Sequence, residues 1–192
     1  MAFLFVPFFQ RNKREPLLNH RPQQFSGVPV RSLANSLNIS VFEYADRYDA
    51  LESDYLLVCG ANILESGFAN SGKILNCHAG LIPEVRGLDS FKWAIKEKKP
   101  VGNTLHIIDN KADMGSVLHQ METPLFADDS LDSFARRHYE HELWLLSNFD
   151  RFLSGGRVFD LPVSEPKRRM PRDLEKELPI DFIDYKSKFV IS

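Results

Sequence analysis

The run Asn76-Cys-His78-Ala-Gly-Leu-Ile-Pro83-Glu-Val-Arg86-Gly87, with Asp113-Met-Gly115 further along, constrains this chain more than any other stretch. It sets an amide, an imidazole and a carboxylate where one acyl-transfer site could use all three. Lys73-Ile-Leu-Asn76-Cys77 is apolar and is bounded upstream by the turn residues Asn70-Ser71-Gly72, the pattern of a short buried strand. Asn76 and His78 are two apart, so an extended chain points both to one side. In an α/β sheet, residues leaving the carboxyl end of a strand face the ligand crevice. Pro83 and Gly87 then stiffen and release a loop before the next helix.

The rest of the chain alternates strand and helix signals. Phe3 to Phe9 reads as a strand, too short to span a bilayer and without the flanks of a signal peptide. A polar, Pro-punctuated loop follows. Val30, Leu33, Ala34 and Leu37 have helical spacing, Ile39 to Phe42 reads as a strand, and Asp46 to Leu51 as a helical turn. Asp54 to Cys59 is an apolar run ending in Gly60, the clearest strand of the first half. A helix is expected over Asp89 to Lys98, strands over Asn103 to Ile108 and Val117 to Glu122, and a long helix over Ser130 to Leu153. Leu131, Phe134, Tyr139, Leu143, Leu146 and Phe149 form the expected face of that helix, with Ser130 as its N-cap. His138, His141 and Glu142 fall elsewhere on it. They lack His-Glu-x-x-His spacing, so a solvated face is expected there and no metal. A short amphipathic piece, Ile180 to Phe189, closes a Pro-rich, charged tail. This alternation implies an α/β fold with a mostly parallel sheet and helices on both faces.

At this point the sequence resembles a family. Asn-x-His-x-(small)-Leu-(apolar)-Pro-x-x-Arg-Gly, a helix carrying Trp-Ala-Ile and then Asp-x-Gly is similar to the folate-dependent formyltransferases. These act on glycinamide ribonucleotide, methionyl-tRNA or nucleotide sugars. The residues that carry the likeness are Asn76, His78, Leu81, Pro83, Arg86, Gly87, Trp93-Ala94-Ile95, Gly102, Thr104, His106, Asp113 and Gly115, within 27–153. The resemblance implies a Rossmann-like formyltransferase fold. It also makes the beginning of the chain unusual, because the family opens with a strand, a glycine-bearing turn and a helix. Too few residues separate Phe9 from Gly27 for both a helix and another strand, so the first βα unit is expected to be missing. Either Phe3 to Phe9 takes that central place, or the chain is incomplete or degenerate. The implied organisation is an atypical segment over 1–26, a catalytic core over 27–156 and a tail over 157–192.

The implied reaction moves a formyl group from 10-formyltetrahydrofolate to a primary amine through a tetrahedral intermediate bearing an oxyanion. Preorganised donors aimed at that charge are usually the largest catalytic term. Asn76 supplies an amide donor. By analogy with the family, His78 donates to the same oxygen or helps take the amine's proton, and Asp113 orients His78 and receives a proton through water. The pterin is expected between the loop Gly60 to Leu64 and the loop Ile108 to Asp113, against Gly60, Ala61, Ile63, Leu64, Ile108 and Ala112. Arg86 and Gly80 are expected on the acceptor side. Gly80 stands where the tRNA and purine enzymes usually carry Ser, which is similar to the sugar-modifying branch.

Composition narrows the acceptor. A net charge of −2 over 192 residues disfavours a tRNA partner, and no segment suits a membrane. Cys59 and Cys77 both lie in expected buried strands, so they read as free core thiols in a cytoplasmic protein. A small amine, most simply a nucleotide-linked amino sugar, is the expected acceptor, and a homodimer remains open. The alternatives are methionyl-tRNA or glycinamide ribonucleotide formylation, a formyltetrahydrofolate deformylase with water replacing the amine, and an impaired remnant acting as a binding protein.

Overall fold

A computed structural model describes residues 1–6, 15–21, 27–44, 53–60, 64, 71–109, 115–156 and 165–191. Among these, strands β1 (Ala2–Phe5) and β2 (Ser40–Glu43) pair in parallel as a two-stranded sheet, with α1 (Val30–Ser36) between them in sequence. The expected strand at Phe3 to Phe9 is thus seated beside β2 through Phe5, and its last residues lie outside the described set. So does the whole of the expected turn Asp46 to Leu51.

The second sheet has the order β3 (Leu56–Leu57), β4 (Ile74–His78), β5 (Gly102–Ile107), β6 (Ser116–Glu122). Only β3 and β4 pair in parallel; β4 with β5 and β5 with β6 are antiparallel. The mostly parallel sheet expected from the sequence is therefore corrected to a small mixed one. Eight residues, 108–115, separate β5 from β6. A parallel crossover needs a dozen or more, so these two strands can only turn back on each other. β3 is shorter than the Asp54 to Cys59 run and has β4 as its sole strand partner among the described residues. Leu57 of β3 and Cys59 beyond it are exposed, whereas Cys77 in the central β4 is buried.

The main core lies among three helices, α2 (Ser90–Lys96), α3 (Leu131–Ser147) and α4 (Arg172–Phe189), with Val85 and Val101 at its edge. Phe91 of α2 meets Phe134 of α3 at 5.5 Å between ring centroids, and Phe134 stacks on Phe182 of α4 at 5.9 Å. Burying aromatic rings of this size contributes roughly 1.5–3 kcal/mol each. The buried face of α3 is Phe134, Ala135, His138, Glu142 and Leu145; of the face expected, Phe134 is buried, Leu131, Tyr139, Leu146 and Phe149 are half-buried and Leu143 is exposed. His138 and Glu142 are interior rather than solvated, because each has a partner: Asn103 and Thr123 for the imidazole, Arg21 for the carboxylate. Ser130 caps α3 as expected, its hydroxyl accepting from the Ser133 amide at 3.1 Å.

α4 is longer than the short closing piece read from the sequence. Pro179 lies inside it but on its exposed side, and Leu178, Phe182 and Tyr185 carry one continuous buried stripe past it. The Tyr185 hydroxyl donates to the Lys99 carbonyl at 3.0 Å and accepts from the Val101 amide at 3.1 Å, tying α4 to the segment that enters β5. None of the described helices is long and apolar enough to cross a membrane.

Candidate functional site

The site is built on β4. Strand alternation puts Ile74, Asn76 and His78 on one face and Leu75 and Cys77 on the other, against α3. Antiparallel pairing sets His106 opposite Asn76 and Thr104 opposite His78, so all four side chains share that face. The Asn76 amide nitrogen lies 3.2 Å from His106 Nε2. An amide nitrogen only donates, which makes His106 Nε2 the acceptor and leaves the second amide hydrogen for another partner.

Thr104 fastens the loop that leaves β4. Its hydroxyl donates to the Gly80 carbonyl at 2.7 Å and accepts from the Ile82 amide at 3.1 Å. Gln120 of β6 adds a bond to the Ile82 carbonyl at 2.7 Å. The loop then folds back over His78, whose Nε2 lies 3.0 Å from the Val85 carbonyl and 3.1 Å from Ser90 Oγ. Gly80 makes this closure feasible: a Cβ there would stand 2.6 Å from the Val85 carbonyl, 2.8 Å from His78 Nε2 and 2.8 Å from the Ser90 Cβ. His78 is accordingly buried, while Asn76 is half-buried.

Arg86 is also buried, at 4% exposure, not a surface loop residue. Its carbonyl accepts from the Lys167 amide at 2.8 Å, and the Leu88 amide returns a bond to the Lys167 carbonyl at 2.9 Å. Gly87 between them has φ +90°, and a Cβ would overlap the Lys167 backbone. The tail segment thus pins the Arg86–Leu88 turn.

Of the expected folate residues, Gly60, Leu64 and Ile108 are described; Ala61, Ile63 and Ala112 lie outside the described residues, as does Asp113. Gly60 has φ +99° and open space where a side chain would stand, at the carboxyl end of β3. Leu64 is half-buried. Ile108 is bonded through its amide to the Ile74 carbonyl at 2.8 Å. Because β5 runs against β4, Ile108 leaves the sheet at the end of β4 away from His78. Gly115 packs so closely on the end of β5 that a Cβ would overlap the Ile107 carbonyl.

Sequence reasoning missed the polar groups behind the site. His138 Nδ1 lies 3.2 Å from the Asn103 amide nitrogen and 3.0 Å from Thr123 Oγ1, and burial, then the charges of His20 and Arg21, push its pKa well below the ordinary value. It is a neutral acceptor. Arg21 grips Glu142 with two bonds, 2.5 and 3.1 Å, and burial followed by the Glu142 charge raises the Cys77 thiol, keeping it protonated. A cavity of about 170 Å³ opens at the amino end of α2, lined by Asn19, His20, Asp89, Lys92, Arg169 and Glu175. Burial, then Arg21 and Lys92, lower the His20 pKa to about 4. The signal for His138 was its position four residues after Phe134, on that residue's own face.

Known proteins share this framework. The model of the family described as formyl transferase matches residues 29–149. Phosphoribosylglycinamide formyltransferase of Haemophilus influenzae is 29% identical over 117 residues, covering 59% of this chain and 55% of the relative. Methionyl-tRNA formyltransferase of Koribacter versatilis is 29% identical over 162 residues, covering 78% and 52%. The chain spans about half the length of these curated relatives. Among solved structures, the formyltransferase PseJ from Anoxybacillus kamchatkensis, in complex with UDP-4,6-dideoxy-4-formamido-L-AltNAc and tetrahydrofolate, aligns with a TM-score of 0.55. It is 23% identical, with 78% of this chain and 84% of that chain covered, a likeness of fold.

Proposed function

The chain belongs to the formyl transferase family, and on that premise we propose that it is a cytoplasmic N-formyltransferase. In this reading the formyl group of 10-formyltetrahydrofolate passes to a small primary amine, a nucleotide-linked amino sugar. The observation that carries the proposal is the pairing of Asn76 and His78 on one face of β4, each held by its own partner. Attack on a formyl carbon gathers negative charge on its oxygen. An amide already fixed by His106 meets that charge without reorganising, which is where such donors gain most. His78 handles the amine's proton, and Asp113 is the third member of the set, orienting the imidazole and passing the proton to water.

Gly60 and Leu64, with Ala61 and Ile63, are assigned to the folate side at the His78 end of β4; Ile108 and Ala112 are assigned to it through a loop that starts from the opposite end of β4, and Gly80 and Arg86 to the acceptor side. The sugar acceptor is favoured by Gly80 in place of Ser and by the net charge of −2, which gives little general attraction for tRNA. The nucleotide sugar held by the Anoxybacillus enzyme accords with it.

The test is release of tetrahydrofolate from 10-formyltetrahydrofolate in the presence of UDP- and dTDP-linked amino sugars, glycinamide ribonucleotide or methionyl-tRNA. Release that requires an amino sugar supports the proposal. Release with water alone makes the protein a hydrolase, and dependence on another amine reassigns the acceptor.

A further inference from the structure

The cavity of about 170 Å³ at the start of α2 adjoins the candidate site: Asp89 lines it, and the next residue, Ser90, sets its Oγ 3.1 Å from His78 Nε2. The lining is held by bonds made outside it. Leu18 packs in the core and Arg21 grips Glu142, fixing Asn19 and His20 between them. The Met170 amide donates to Asp89 Oδ2 at 2.9 Å, fixing that carboxylate and the backbone next to Arg169. Lys92 and Glu175 are paired with each other. What remains towards the cavity is a mixed set. Among the described residues Asp89 Oδ1 accepts no hydrogen bond and stands 4.0 Å from Lys92 Nζ, the His20 ring and the Asn19 amide nitrogen make none, and Arg169 has no ion pair. His20 is neutral at ordinary pH, its pKa being about 4, so its ring offers one donor and one acceptor.

A bare anion does not match this lining, because Asp89 faces it with a like charge. A sugar ring does: its hydroxyls donate to a carboxylate and accept from amide, imidazole and guanidinium groups. The volume agrees. It lies below the roughly 300–1,000 Å³ of pockets that take drug-sized ligands, which leaves room for one ring and not for a nucleotide. Arg169 is exposed whereas Asp89 is half-buried, so the guanidinium suits a charge that stays in water. We propose that this cavity seats the sugar ring of a glycosyl phosphate, with Asn19, His20 and Asp89 on the ring hydroxyls and Arg169 at the rim on the phosphate. That this ligand is the formyl acceptor rests on the function proposed above; its chemistry is read from the lining alone.

Calorimetry without folate tests the site, using UDP- and dTDP-linked amino sugars with UDP and dTDP alone as the ringless controls. Asp89→Asn keeps an oxygen for the Met170 amide but removes the carboxylate, and should weaken a nucleotide sugar ~10-fold while leaving the nucleotide diphosphate within about twofold. Arg169→Ala should weaken the nucleotide sugar ~10-fold. Arg172→Ala, an exposed arginine outside the cavity, should change neither. In the transfer assay the first two variants should raise KM for the amino sugar and leave KM for the folate donor unchanged. Wild-type affinity in folded Asp89→Asn and Arg169→Ala overturns the proposal. So does an equal loss in Arg172→Ala, an equal loss of nucleotide diphosphate in Asp89→Asn, or a wild-type protein that binds no nucleotide sugar. If binding follows the expected pattern but no formyl group is transferred, the site stands and the functional reading fails. Transfer to an amino sugar with binding unaltered in the variants has the opposite meaning.

Discussion

Asn76 and His106 stand directly opposite each other on antiparallel strands, with the amide nitrogen of one 3.2 Å from Nε2 of the other. The contact uses one amide hydrogen and orients the second. Asn76→Ala, His78→Ala and Asp113→Ala are each expected to reduce turnover by ~10²-fold or more while the protein stays folded, since one preorganised donor or proton carrier contributes on that scale. His106→Ala leaves the amide in place but unanchored, so its effect should be smaller than that of Asn76→Ala. Steady-state kinetics with the amine established as acceptor check the order. Wild-type turnover in two of the first three variants would remove the site.

Lys92 and Glu175 form an ion pair in the interior, with Lys92 1% and Glu175 3% exposed. Burial acts to raise the Glu175 carboxyl, but the Lys92 ammonium and the Leu17 and Leu18 amides outweigh it, so its pKa lies below the ordinary value. Removing one partner strands the other charge in a poorly solvated place. Lys92→Ala or Glu175→Ala should each destabilise by roughly 3–5 kcal/mol, whereas Lys92→Met with Glu175→Leu should fall close to the wild type or above it. Urea unfolding of the three variants measures this. A double variant as weak as the worse single one would contradict it.

Much of this architecture was legible in local pattern. The strands at 74–78, 102–107 and 116–122 and the helices at 30–36 and 90–96 fall where alternation and helical spacing put them. Pairing direction is a different matter, because period-two alternation is the same in parallel and antiparallel strands. The eight-residue link between β5 and β6 did carry that information, as a length too short for a crossover. His138 and Glu142 were read as solvated because polarity alone assigned them outward. Their burial depends on Asn103, Thr123 and Arg21, distant in sequence, and no single-helix pattern contains them. The long α4 was hidden by Pro179, which removes a bond on the exposed side and leaves the Leu178, Phe182 and Tyr185 stripe intact. At the site, Asn76 and His78 were legible from spacing, while Ser90 was invisible until the loop closed.

Gly87 is held at φ +90° where the Arg86–Leu88 turn meets Lys167. Gly87→Ala faces two penalties: a left-handed conformation costs roughly 1–2 kcal/mol for a residue with a Cβ, and that Cβ has no room beside the Lys167 backbone. Loss of more than ~2 kcal/mol is expected. Faster proteolytic cleavage within 157–171 should accompany it, as the tail segment detaches. An alanine variant with wild-type unfolding and cleavage rates would show that the turn does not depend on this glycine.

Asp129 gives the clearest pH dependence. The Arg137 guanidinium, bonded at 2.6 and 2.8 Å, holds its carboxyl at about 2, against an ordinary 3.8; burial opposes this, while the Phe126 amide and the Ser133 hydroxyl add to it. Since the folded pKa is the lower one, the carboxylate stabilises the fold fully above the ordinary value. That contribution is lost as pH falls from about 4 to about 2. Asp129→Asn should destabilise near neutrality by roughly 1.5–3 kcal/mol, the range for hydrogen bonds to charged groups. It should also flatten the acid limb of stability over the same window. Thermal unfolding of both proteins across that range makes the comparison. Parallel acid limbs would mean that other carboxylates, not Asp129, carry the acid sensitivity.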